Sequence, residues 1–161
     1  MRMFRQYVGR KRPEWWEAGI RFTCLPNCGR CCDEPDGIVY LSMHDAKRIS
    51  GRLEMEVTEW LSRDCRKTLD GRNVLKSRES DGICIYLNEE KQCNIYAIRP
   101  QQCAAYPWWG ENLATERSWE RTKQECPGLT AEDAIIIDGS SIRIHVLADR
   151  QSSKGFREWV D

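Results

Sequence analysis

Apolar positions along this chain come in short runs whose period changes several times. Ile20-Arg21-Phe22 alternates and predicts a short strand. A second short strand is expected over 38–41. Ser42 then caps a helix over 43–50, with Asp45 at the capping-box position and Gly51 just past its end. Trp60, Leu61, Cys65 and Leu69 recur at helical spacing. They predict a helix from a Thr58 cap to about Leu69, stopped by Asp70-Gly71. Pro13 suits the first turn of a short helix over 14–18, ended by Gly19.

Further strands are expected over 73–77 and, more strongly, over 83–87, with a turn at 88–92. Pro100 limits 94–98 to a short helix at most, and another helical turn is expected from 101 to Tyr106. Trp108-Trp109-Gly110 reads as an apolar loop and 118–125 as a charged segment. Ile135-Ile136-Ile137 looks like a strand. After it, Asp138-Gly139 either turns a hairpin or, as we favour, Asp138 caps a helix through Ile142, Val146 and Leu147 to about Arg150. There is no internal repeat or low-complexity segment. The expected fold is a small, irregular α+β domain.

A chain of 161 residues makes one domain with tails and can build a core without covalent staples. Lysines and arginines balance aspartates and glutamates at 25 each. Residues 1–12 are basic, and we read them as a solvated arm rather than a nucleic-acid or membrane contact. No apolar run approaches the roughly 20 residues of a membrane span. The N-terminus lacks the apolar stretch of a secretory signal, so a cytoplasmic location is expected.

Nine cysteines change this picture. In a reducing compartment, clustered thiols point to metal or redox chemistry rather than a disulfide scaffold. Cys24, Cys28, Cys31 and Cys32 crowd into one loop whose Pro26, Asn27 and Gly29 favour tight turns. Cys84, Cys93, Cys103 and Cys126 follow. Thiolates select zinc, copper(I) or iron–sulfur centres, and zinc takes four of them at roughly 2.3 Å. Eight sulfurs make two four-sulfur sites, or one cluster with four spare thiols. Adjacent Cys31 and Cys32 would diverge in extended backbone and so serve different ions or opposite sides of one cluster. The histidines, His44 and His145, lie far from the cysteines in sequence and read as surface or structural residues. Cys65, on the apolar stripe of its helix, reads as a small core residue.

Phe22-Thr23-Cys24, Cys28-Gly29-Arg30-Cys31-Cys32, 82–87, 93–103, Tyr106-Pro107-Trp108 and Cys126-Pro127-Gly128 together resemble the CxxCxxCC cysteine-cluster family. Its members are described as zinc- or iron-chelating domain proteins. The likeness covers about residues 20–130, with one departure: three residues separate Cys24 from Cys28 where the commonest form has two. The resemblance implies a ligand set of Cys24, Cys28, Cys31, Cys32, Cys84, Cys93, Cys103 and Cys126. It also places Arg99 and Tyr106 at motif positions. There an arginine can offset thiolate charge and a tyrosine can donate to sulfur. A related cysteine domain in flagellin lysine methylases implies an iron–sulfur centre in that branch, but no methyl-donor-binding segment is evident here.

The expected organisation is a basic arm and short helix (1–19), a cysteine-cluster metal-binding domain (20–130) and a C-terminal extension packing on it (131–161). The expected function is binding of an iron–sulfur cluster or Zn2+. An enzyme using metal or spare thiols is the first alternative, although no serine–histidine–acid or paired-carboxylate signature is present. The second is a partner-binding module in which the metal is structural and Trp108-Trp109 with the basic arm form the surface.

Overall fold

The structure, a computed structural model, describes residues 12–160. The basic arm therefore lies almost wholly outside the described residues. The elements are β1 (Ile20–Phe22), α1 (Met43–Arg52), α2 (Val57–Asp64), β2 (Cys65–Lys67), β3 (Asn73–Leu75), α3 (Gln101–Ala105), α4 (Gly110–Leu113), α5 (Glu116–Glu125), β4 (Ile135–Ile137) and α6 (Gly139–Ser152). Three single 3-10 turns join them, at Arg30–Cys32, Tyr96–Ile98 and Pro127–Leu129. Two small antiparallel sheets, β1 with β4 and β2 with β3, complete an α+β fold. No helix among the described residues is long and apolar enough to cross a membrane.

Local chemistry explains the elements the pattern anticipates. Ser42 accepts from the Asp45 amide while the Asp45 carboxylate accepts from the Ser42 amide, closing the expected capping box on α1. Asp138 accepts from the Ser141 amide and starts α6, so the helical alternative for the tail holds. Ile20, Arg21 and Phe22 pair with Ile137, Ile136 and Ile135. Helix α5 starts earlier than the charge pattern suggests. Thr115 and Ser118 form a capping box there, a signal present in the sequence and overlooked.

Other expectations give way to tertiary contacts. The helix expected to reach Leu69 ends at Asp64. Asp64 is drawn into the core by Trp60 and Tyr86. The Trp60 indole donates to the Tyr86 hydroxyl at 2.8 Å, and that hydroxyl donates to Asp64 at 2.5 Å. The next three residues join the β2–β3 ladder instead, around a turn in which Gly71 has φ 84°. Leu69 is left fully exposed. The strand expected over 83–87 is a turn between two isolated bridges, Ser77 with Cys84 and Leu87 with Cys93. Over 38–41 only Tyr40 bridges a strand residue, Val74, and the Tyr40 amide on the other edge donates to the Gln102 side chain at 2.7 Å. The expected helix at 14–18 is a hydrogen-bonded turn. It is pressed against the start of α6, where a Cβ on Gly139 would lie 2.4 Å from the Glu17 carbonyl oxygen.

Two apolar clusters result. One gathers Leu41, Ala46, Ile49, Trp60, Cys65, Leu75, Tyr86, Ile95 and Phe156. The other gathers Trp16, Trp108, Leu113, Trp119, Cys126, Leu129, Ile142 and Val146. In the second, Trp108 stacks on Trp119 with centroids 5.8 Å apart and meets Phe22 edge-on at 5.5 Å. Cys65, 4% exposed, is in the first cluster as expected, though on a strand rather than a helix.

A buried polar link ties the C-terminal segment to this body. Gln102 donates through Nε2 to Asp149 Oδ1 at 3.0 Å, and Gly110 N donates to Asp149 Oδ2 at 2.9 Å. With its Oε1 accepting from Tyr40, Gln102 joins three parts of the chain. Gln102→Leu would leave a buried carboxylate oxygen and a backbone N–H without partners, at a cost of about 2–4 kcal/mol. Chemical denaturation of the protein as purified should show that loss, while Gln101→Leu, at an exposed position, should change little.

Candidate metal centre

The cysteine loop owes its shape to left-handed backbone at Asn27 and Gly29, both with φ 58°. Gly29 is required there, since a Cβ would lie 2.6 Å from the Lys91 carbonyl oxygen. The loop is thus laid directly on the 88–92 turn. Gln92 Nε2 donates to Asn27 Oδ1 at 2.7 Å, Lys91 Nζ to Asp33 at 2.8 Å, and Cys84 N to the Cys32 carbonyl at 3.4 Å. On the other flank, Thr23 N donates to the Gly128 carbonyl at 3.0 Å, and no Cβ fits at Gly128. These contacts bring the loop, the Cys84–Cys93 turn, α3 with Cys103 and the end of α5 with Cys126 around one space.

That space is a chamber of about 620 Å³ between the two apolar clusters. Its walls include Cys24, Cys28, Cys31, Cys32, Cys84, Cys93, Cys103 and Cys126, together with Arg99 and Tyr106. All nine cysteines are free thiols, and Cys65 alone lies outside the chamber. Among the described residues, no three of the potential ligands stand close enough together to grip an ion as they are. The sulfurs line the space without converging on one point.

They are unevenly spread. Cys32 interacts by hydrogen bonding with Cys31, Cys84 and Cys93. Cys31 and Cys32 do not diverge as expected of extended backbone, because they sit in the 3-10 turn Arg30–Cys32. Cys32 holds its proton strongly, and its neighbours benefit. Its hydrogen bond lowers the Cys84 thiol to about 7 and the Cys93 thiol to about 6. The Arg99 charge further favours the thiolates of Cys93 and Cys31. Burial pushes Cys103 up, with the Cys84, Cys31 and Cys93 charges adding to it. Burial likewise raises Cys126 to about 11, with a smaller contribution from Cys28.

Arg99 stacks on the Tyr96 ring, its guanidinium carbon 4.0 Å from the centroid. The tyrosine that donates to sulfur is Tyr96, whose hydroxyl reaches Cys24 Sγ at 3.6 Å. Tyr106 lines the chamber and packs edge-on against Trp109 at 5.1 Å. No hydrogen bond from Tyr106 to sulfur occurs among the described residues. Tyr96 stands three residues after Cys93, so spacing alone could have flagged it. The sequence reading also missed His145, which lines the chamber from α6, while His44 is exposed as expected.

The family model described as "Putative zinc- or iron-chelating domain", CxxCxxCC, matches residues 23–131. The chain belongs to the CxxCxxCC family. No solved structure matches it. In this CxxCxxCC chain the matched stretch contains all the chamber cysteines, and β4 and α6 close the chamber from outside it. Thiol reactivity should follow this geometry. In the reduced, metal-free protein, iodoacetamide should label exposed Cys24 and Cys31 well before Cys65, whose thiol burial raises to about 12. Peptide mapping by mass spectrometry gives the order.

Proposed function

We propose that this protein holds a metal centre, iron as an iron–sulfur cluster or zinc, through the thiolates of Cys24, Cys28, Cys31, Cys32, Cys84, Cys93, Cys103 and Cys126. One observation carries the reading. Eight cysteines from well-separated parts of the chain line a single chamber, and the ninth is packed in aliphatic core. Packing alone gives no reason for that division.

The donor set fits the group. It is all sulfur, it is soft, and it suits iron–sulfur or zinc rather than calcium or magnesium. Cys31, Cys84 and Cys93 each share their proton balance with Cys32, and we take these four thiols as the first site. Cys24, Cys28, Cys103 and Cys126 would complete a larger centre or a second site. When bound, such a centre supplies cross-linking of the segments and, with iron, one-electron exchange. Arg99 offsets charge, and Tyr96 steadies the exposed thiol of Cys24. A cytoplasmic, reducing setting agrees with free thiols that stay available for metal.

In the partner-module alternative, Trp108 of the aromatic pair belongs to the core and Trp109 is partly buried. Trp108 is 2% exposed, and the Trp109 indole donates to the Gln102 carbonyl at 2.8 Å.

Elemental analysis and the visible spectrum of protein purified without oxygen test the reading. Stoichiometric iron with sulfide and a brown colour are expected for a cluster; colourless protein with zinc supports the other form. Protein from metal-replete cells that carries neither metal would overturn both. Because binding gathers and deprotonates the thiols, metal loss should loosen the fold. Cys31→Ser should therefore lower the melting temperature far more than Cys65→Ser, and equal effects would contradict the ligand assignment.

A further inference from the structure

His145 lines the thiol chamber although it lies on α6, beyond the stretch that matches the family. Helix geometry accounts for its direction. Ile142, Val146 and Asp149 are buried, which places position 145 at the edge of the inward face. The helix is held against rolling. Asp149 accepts from Gln102 and Gly110 on one side, and Arg143 pairs with Glu17 on the other. Gln102 directly precedes Cys103, so the imidazole has a set position relative to the thiols.

Its ring nitrogens have no hydrogen-bond or ion-pair partner among the described residues. Burial lowers its proton affinity, so the ring is neutral at neutral pH, and no thiol charge contributes to that shift. The imidazole lines the same chamber as the thiols. Phe22 and Ile137 line the same chamber and offer no polar side-chain atom, and Trp108 offers only its indole N–H. The ring is only half-buried and its nitrogens stay accessible, free to take a partner inside the chamber. Neutral imidazole is suited to that place, as a ligand to zinc or iron or as an N–H donor.

We propose that His145 supplies a nitrogen contact to the metal centre from α6. This rests on the reading that a metal centre fills the chamber. The contact comes from the C-terminal helix, not from the cysteine blocks.

The test uses the full chain with 15N placed only in histidine. It is loaded with iron and sulfide, or with cobalt(II) if zinc is the metal found in the purified protein. Pulsed EPR of the loaded protein should show a histidine nitrogen coupled to the centre. The coupling should persist in His44→Gln, where His145 is the sole histidine left, and vanish in His145→Leu. Metal content of His145→Leu should stay near that of the parent, since the thiols remain, while its spectrum or midpoint potential shifts. The His44→Gln result decides the matter even if His145→Leu folds poorly. A loaded protein without histidine coupling, or with coupling that survives His145→Leu, would overturn this contact alone. A chain that takes up none of these metals would overturn the metal reading as well.

Discussion

Eight thiols sharing one chamber are first of all a problem of charge. Each thiol that ionises makes the next harder to ionise, and burial penalises every charge further. The protein without metal shows the compromise. Cys32 keeps its proton, Cys84 and Cys93 ionise readily around it, and buried Cys103 and Cys126 resist. Arg99 contributes a positive charge, held in place by the Tyr96 ring. All eight can be thiolates together only around a cation, which replaces several protons with one compact charge. That constraint gives the chamber its chemical character and relates its stability to its contents.

The architecture suits such a centre. Neither apolar cluster is large, and the chamber lies between them, so part of what would be core in another small domain is lined by sulfur. Regular structure is correspondingly short. Strands of three residues and single 3-10 turns cannot bury much on their own. The cysteine loop is positioned by side-chain bonds and close backbone approach instead, through Asn27, Gly29, Lys91 and Gln92.

The C-terminal segment belongs to the same construction. Strand β4 pairs with the strand that leads into Cys24, and α6 packs on the helix that carries Cys103. The Tyr40–Gln102–Asp149–Gly110 bonds make that packing specific as well as apolar. Cysteine-bearing loops are thus held from outside by elements that contain no cysteine.

Much of this was decided locally and could be read from the chain. Ser42 with Asp45 and Asp138 with Ser141 specify helix starts through contacts three residues long. The crowding of Cys24, Cys28, Cys31 and Cys32, with Cys65 on an apolar stripe, separates chamber thiols from core thiol, because spacing and polarity are written residue by residue. Other features needed the folded chain. The early end of α2 depends on Asp64 meeting Tyr86, 22 positions away. The loss of the 83–87 strand depends on bridges to two different segments. The chamber lining at His145 depends on α6 folding back onto α3. A local pattern encodes the preference of a segment; which preference survives is settled by contacts between segments distant in sequence, and those exist only once the backbone has closed on itself.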